Sequence, residues 1–264
     1  MKVSQNWLKS LVEINTTPEG LSEKLSIGGF EVESLIDCSK NVKGVVLGKV
    51  ISVVKHENSD KLSICEVDIG NSDNLQIICG ATNVKPNIYV YVATIGAHLT
   101  SINLTIKKSE IRGVLSEGMI CSLEELGIED SSEGIAIIDE KLATKHELGT
   151  SGAHLLHLND YIYDLAITAN RPDGMSVVGI AREISALLET KFSFPELKTN
   201  YNINVIKDFV LCPDAITNSC LYSISHIDSV NGKKLSPQWL KDRLEKSGIK
   251  SINLLVDITN YILL

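Results

Sequence analysis

Long apolar runs, aromatic rings and positive charge are all scarce in this sequence. Its apolar stretches, such as Val45-Val46-Leu47 and Ile135-Ala136-Ile137-Ile138, fall far short of the ~20 residues a membrane-spanning helix needs. The opening MKVSQNWLKSLVEI alternates polar and apolar residues and lacks the apolar core of a secretion signal. The expected location is therefore cytoplasmic, with no membrane partner. Lys and Arg number 25 against 33 Asp and Glu, a formal charge of -8. That argues against coating nucleic acid by bulk electrostatics and leaves room for a small local contact with RNA.

Six cysteines occur, yet no Cys-x-x-Cys pair, so a structural zinc site has little support. Cys65, Cys79 and Cys121 sit among β-formers and read as buried, reduced thiols. His154 and His157 fall in a strand-like stretch, AHLLHLND, without a third ligand, and read as surface or half-buried histidines. Gly28-Gly29 lacks the Lys-Ser/Thr partner of a phosphate loop, and no Gly-x-Ser-x-Gly elbow or paired-His metal helix is present. The carboxylates Glu124, Glu125, Glu129 and Asp130 read as a solvated helix face. No catalytic residue, metal ligand or bound cofactor is expected in this stretch of chain.

What is present is enough apolar material for buried cores, 44% of 264 residues, in more than one domain. Trp7, Leu8, Leu11 and Val12 form one helical face, with Ser4 as cap. A second helix starts at Thr17 and Pro18, carries Leu21 and Leu25, and ends at Gly28-Gly29. Phe30 to Ile36 reads as a strand, and Asp37 to Lys43 as a linker. From Gly44 to about Gly149 the apolar period becomes two, in runs such as VVLGKVISVV, KLSICEVDI, LQIICGA, IYVYVATI, NLTIKKSEI and GIAIID, with a short helix at 122–126. About five main strands in some 100 residues suit a small closed barrel of the OB type ahead of an immunoglobulin-like sandwich.

After Gly149 a strand at 161–167 precedes an amphipathic stripe of Val177, Ile180, Ala181, Ile184, Leu187 and Leu188. The fold class expected is α+β and multidomain. A scaffold of 1–39 with 151–195 would hold an inserted barrel at 40–150, and a further mixed α/β domain would begin at 196–264. Strands are expected near 201–212 and 220–227, and a helix at 237–246 with Ser236 as cap and Pro237 first. The apolar, uncapped finish at Leu264 suggests a chain cut within that domain.

Three stretches carry a resemblance. HENSDKLSICEVDIG at 56–70, IICGATNV at 77–84 and IKKSEIRGVLSEGMICSLEELGI at 106–128 resemble the OB-fold tRNA-binding domain of several aminoacyl-tRNA synthetases. ITANRPDGMSVVGIAREISALL at 167–188 resembles the bacterial phenylalanyl-tRNA synthetase β subunit, in which a Thr-x-Asn-Arg-Pro-Asp run leads into a Gly-Ile-Ala-Arg-Glu helix. SPQWLKDRLEKSGIKSINLLVDITNYILL at 236–264 resembles the start of that subunit's editing domain. After Cys212-Pro213, Asp214-Ala215-Ile216 departs from the usual Cys-x-x-Tyr pattern.

The resemblance implies a subunit that synthesises nothing itself. Its partners would be an α subunit, in an α2β2 heterotetramer, and tRNA(Phe). ATP and Mg²⁺ would serve the whole enzyme at a site on α. The resemblance also implies editing of tyrosyl-tRNA, which has a physical reason: a pocket built for phenylalanine rejects an added hydroxyl only about 10²-fold. Lys107, Lys108 and Arg112 are close enough in sequence to face one phosphate track. Against that, residues 44–149 hold 9 Lys/Arg and 15 Asp/Glu, and Arg112 could instead pair with a neighbouring Glu in a barrel that acts as a spacer or protein-docking unit. Asn170, Arg171, Pro172 and Asp173 form a motif with an architectural reading. Pro172 holds Arg171 off the helical region, Asp173 caps the next helix, and Gly179 permits close packing. Asn260 matches an editing-pocket asparagine of the family, or is a helix-surface or capping amide; Asp257 and Thr259 receive no catalytic role. A non-enzymatic OB-fold tRNA-binding or chaperone module is the alternative function, and a stand-alone hydrolase of mischarged tRNA a third.

Overall fold

The computed structural model describes residues 1–194 and 230–264; the strands expected near 201–212 and 220–227, and Cys212-Pro213, lie outside them. The order begins β1 (Lys2–Ser4), α1 (Gln5–Lys9), α2 (Pro18–Ile27), β2 (Glu31–Asp37) and β3 (Val45–Lys55). It continues β4 (Ser63–Asp68), β5 (Leu75–Cys79), β6 (Tyr89–Thr94), β7 (His98–Leu99), β8 (Leu104–Thr105), β9 (Ser109–Ile111), β10 (Val114–Ser116), β11 (Gly118–Ile120) and β12 (Ile137–Ile138). Then come α3 (Glu140–Ala143), α4 (Gly152–Leu155), β13 (Tyr161–Ala166), α5 (Val177–Leu188), α6 (Gln238–Lys246) and α7 (Leu254–Leu263). This is an α+β chain with two compact units, Ser34–Ile162 and the combination of Met1–Glu33 with Tyr163–Leu264.

The Ser34–Ile162 unit is a nearly closed antiparallel barrel. Its sheet runs β11-β6-β3-β4-β5, with β12 also on β6. Closure comes from β5 meeting the β10–β11 segment: the Glu117 N–H donates to the Gln76 carbonyl at 2.8 Å, and the Ile78 N–H to Ser116 Oγ at 3.1 Å. Edge groups that would otherwise face water are thereby paired. Val50, Cys65, Val67, Ile77, Val90 and Val92 fill the interior. A second core of Leu47, Tyr91, Ala93, Leu99, Leu126 and Leu155 lies on the opposite face of β3 and β6. Strands buried on both faces must be apolar throughout, and this is why VVLGKV and YVYVAT scarcely alternate. A register shift between Val50 and Ser52 marks a bulge in β3.

Several local expectations change here. The helix expected at 122–126 is one turn only. Ser122 Oγ accepts from the Glu125 N–H at 3.1 Å while the Glu125 carboxylate accepts from the Ser122 N–H at 2.7 Å, a capping box without a following helix. Glu124 accepts from the Ser132 N–H at 3.3 Å, so this carboxylate is engaged in a turn, not on a solvated helix face. His154 lies on helix α4, not a strand, with its ring 5.3 Å from that of His146. Residues 37–43 are anchored: Ser39 and Lys43 both bond Asp37, and Val42 is fully buried.

In the other unit, Ser4 caps α1 through the Trp7 N–H at 3.1 Å and Thr17 caps α2 through the Gly20 N–H at 3.1 Å. Helix α1 ends at Lys9, before Leu11 and Val12, which are nevertheless buried. β1, β13 and β2 form a three-stranded sheet in the order β1-β13-β2. Val177, Ile180, Ala181 and Ile184 of α5 are buried as the stripe requires. The start of the expected linker is tied down, because Thr190 Oγ1 donates to the Glu13 carbonyl at 2.8 Å and the Ser193 N–H to that of Leu11 at 2.8 Å. Pro237 is the cap position of α6, and Ser236 makes no cap bond; its hydroxyl turns to Asp257 instead.

Candidate nucleic-acid interface

Lys107, Lys108 and Arg112 stand on or beside the β9–β10 hairpin. Ile111 pairs with Val114, leaving Arg112 and Gly113 as a two-residue turn with φ of 51° and 89°. Positive φ at both positions makes the primed turn that matches strand twist, and glycine meets that demand without strain. An arginine at the first position is unusual, and the sequence gives no local signal for it.

Its partners explain the conformation. Arg112 Nη1 donates to the Asn58 carbonyl at 2.9 Å, and Asn58 Nδ2 donates back to the Arg112 carbonyl at 3.4 Å. His56 is 3% exposed; its Nδ1 accepts from the Asn58 N–H at 3.0 Å and its Nε2 faces the Ile111 carbonyl at 3.2 Å. The 56–62 loop and the hairpin tip are therefore stitched together. His56 and Asn58 both lie in the 56–70 stretch that carries the resemblance, but their tie to the hairpin, 55 and 54 residues later, is not readable from sequence.

The three cations are not gathered at one point. Lys108 lies four residues from Arg112, about 13 Å along an extended strand, and pairs with Glu117 at 2.8 Å. That ammonium holds the Glu117 carboxyl below its usual range. Lys107 is exposed and makes no ion pair among the described residues. Arg112 binds a backbone carbonyl, not the neighbouring Glu considered from sequence. Of the family-pattern residues, Asn83 bridges to Ile135 and Ser116 sits in the barrel seam, 3% exposed; both serve the fold.

The Asn170–Asp173 motif is built around Arg171. Its Nε and Nη2 grip both oxygens of Asp173 at 3.1 and 2.9 Å, Nη2 also reaches Glu183 at 2.8 Å, and the guanidinium lies 4.2 Å from the Phe30 ring centre. The Asp173 and Glu183 carboxylates raise the Arg171 pKa, and the Arg171 guanidinium in turn lowers that of Asp173. Arg171 has φ -122° and ψ 57°, off the helical region as Pro172 requires. Asp173 does not cap α5. That task falls to Ser176, whose Oγ accepts from the Gly179 N–H at 3.0 Å, because the Asp173 carboxylate is already held by Arg171. A Cβ on Gly179 would stand 1.7 Å from the Asp173 carbonyl oxygen, so only glycine fits. Asn170 is exposed.

Asn260 is half-buried in the middle of α7, and Asn253 is the capping amide of that helix. The buried acid beside it is Asp257, 0% exposed, which accepts from the Ser236 and Ser251 hydroxyls and from the Ile252 N–H at 2.9 Å. Burial raises its pKa, and the three donors together outweigh that and leave it below the usual carboxylate range. Arg243 lies within 5.7 Å of the ring centres of Trp7, Trp239 and Tyr261.

Residues 45–146 match the family model described as "Putative tRNA binding domain", and residues 219–264 match the B3/4 domain. The phenylalanine-tRNA ligase beta subunit of Prochlorococcus marinus subsp. pastoris is 83% identical over 264 residues, covering 100% of this chain and 32% of that protein. The chain belongs to the phenylalanine-tRNA ligase beta-subunit family. The beta subunit of Synechococcus sp. (strain CC9605) is 48% identical over the same 264 residues, again 32% of its length. The chain thus spans about a third of the length of the curated relatives it matches. Among solved structures, the MetRS related protein from Pyrococcus horikoshii aligns with a TM-score of 0.29 and 18% identity, over 40% of this chain and 86% of that one.

Among the described residues no group of three or more His, Cys, Asp or Glu side chains is placed to hold a metal ion, and no helix is long and apolar enough to cross a membrane.

Proposed function

We propose that this chain is a non-synthetic part of a cytoplasmic phenylalanine-tRNA ligase. It would contribute tRNA positioning through the barrel, subunit architecture through the Arg171 region, and the beginning of the domain that hydrolyses mischarged tyrosyl-tRNA. Its partners would be the α subunit, as α2β2, and tRNA(Phe). ATP and Mg²⁺ would act at the α subunit, and no step through them is assigned to residues of this chain. The domain limits proposed are 1–39 with 151–195, 40–150, and 196–264. Lys107 and Lys108 would lie along a tRNA backbone, with Arg112 at the hairpin tip, and Asn260 would take its place in the editing pocket once the rest of that domain is present.

The observation that carries this reading is a match along all of this chain to about a third of the length of the beta subunits, together with a tRNA-binding domain match confined to the barrel. The barrel's 9 Lys/Arg against 15 Asp/Glu supports local contacts in preference to a broad electrostatic grip. Incubating the isolated chain with phenylalanine, ATP, Mg²⁺ and tRNA(Phe) tests it. Salt-dependent tRNA binding without charging is expected. Charging by the chain alone would overturn the non-synthetic reading, and a lack of tRNA binding at low salt would overturn the barrel's role.

A further inference from the structure

We propose that phosphate contacts beside the β9–β10 hairpin come from Lys55 and Lys61, at the two ends of the 56–62 loop, and that Arg112 is a positioning residue that fixes this loop. This rests on the proposed contact of the barrel with tRNA.

Lys55 is the last residue of β3 and pairs with Ser63, while Lys61 lies in the loop just before β4. Both are exposed, and neither makes an ion pair among the described residues. The loop they flank is closed on itself by bonds from His56 N–H to the Leu62 carbonyl at 3.0 Å and from Ser59 N–H to the His56 carbonyl at 3.2 Å. It is then held from outside by the Arg112–Asn58 exchange and by His56 on Ile111. Two lysines on flexible stems are weak anion ligands when their backbone is mobile. On a loop fixed by five hydrogen bonds the points from which both stems start are set, and less ordering entropy opposes binding. The acids Glu57 and Asp60 share this loop, so a diffuse attraction for any polyanion is weak. A partner must instead place phosphates against individual ammonium groups, as an RNA backbone does. The Arg112 guanidinium already donates through Nη1 to a backbone carbonyl, one bond farther along the side chain than a lysine ammonium extends.

The test is tRNA binding by the full 264-residue chain across a series of salt concentrations, with polyglutamate as a second probe. Each phosphate contact contributes about 0.7–0.9 to the slope of log affinity against log salt. Lys55→Gln and Lys61→Gln should each lower the slope by about that amount, and together by twice it, with the melting temperature unchanged. Arg112→Lys, which keeps the charge, should weaken binding as much as Arg112→Gln. If the wild-type chain binds tRNA but both lysine variants keep its slope, or if Arg112→Lys binds like wild type, this assignment is wrong while the tRNA role of the barrel stands. Equal binding of polyglutamate would identify a general anion patch and also overturn it. If the wild-type chain shows no salt-dependent tRNA binding, the barrel's proposed role fails and the assignment with it.

Discussion

Asn83 offers a sharp test of how the barrel is held. Its Nδ2 donates to the Ile135 carbonyl at 2.9 Å and its Oδ1 accepts from the Ile135 N–H at 3.0 Å, so a side-chain amide stands in for a neighbouring strand. Ile135 is 7% exposed and leads into Ala136, which is bonded to Cys121, and into β12. Asn83→Ala orphans one donor and one acceptor. At about 0.5–1.5 kcal/mol for each net hydrogen bond, and with water able to reach a half-buried site, the cost is about 2 kcal/mol. For a unit of this size that lowers the melting temperature by roughly 6 °C. Urea unfolding followed by circular dichroism gives the global value, and hydrogen exchange at the Ile135 N–H gives the local one. A double-mutant cycle sharpens the argument. A Cβ on Gly134 would lie 2.4 Å from Asn83 Oδ1, and Gly134 has φ 77°. Gly134→Ala should therefore cost less in the Asn83→Ala background, where only the backbone strain of about 1–2 kcal/mol remains. An Asn83→Ala variant within 0.5 kcal/mol of wild type, with Ile135 exchange unchanged, or strictly additive variants, would refute the reasoning.

Arg171→Lys should lower the melting temperature of its unit, because an ammonium cannot hold both oxygens of Asp173, reach Glu183 and stack on Phe30 together; a calorimetric scan equal to wild type would contradict this. Asp257 has a lowered pKa in the folded state, so its contribution is complete above the ordinary carboxylate pKa of about 4 and is lost as pH falls below it. Asp257→Asn should be less stable than wild type at pH 7, with the gap closing on acidification; a constant gap from pH 7 to pH 2.5 would count against it. Burial pushes the Cys65 and Cys121 thiols up to about 12. At pH 8 they should react with maleimide on the order of 10³-fold more slowly than a free thiol, and mass mapping that finds them labelled early in the native state would show that the core opens.

The period-two runs located the barrel because each strand presents one face to its interior, and the capping residues Ser4 and Thr17 located two helix starts because their hydroxyls bond local N–H groups. What failed in sequence was chemistry settled by distant partners. Asp173 is the expected cap of α5 only until Arg171 claims its carboxylate, and Ser236 only until Asp257 claims its hydroxyl. Ser122 and Glu125 form a true capping box, yet the residues after it make turns instead of a helix, since Leu126 is drawn into the core of the barrel unit. The candidate interface was legible as a set of cations, but not as a geometry. Nothing local predicts that Arg112 would adopt positive φ to reach Asn58, 54 residues earlier.

The central claim is that this chain serves a phenylalanine-tRNA ligase without performing its synthetic step. Its most direct test replaces the matching segment of the Prochlorococcus marinus subsp. pastoris beta subunit, 83% identical, with this chain, and co-expresses the hybrid with that organism's α subunit. Charging of tRNA(Phe) by the purified complex, dependent on ATP and on the α subunit, is the predicted result, at a kcat/KM within about tenfold of the unmodified enzyme, which corresponds to 1.4 kcal/mol. A hybrid that assembles with the α subunit but does not charge tRNA(Phe), or one that charges it without the α subunit, would contradict the account.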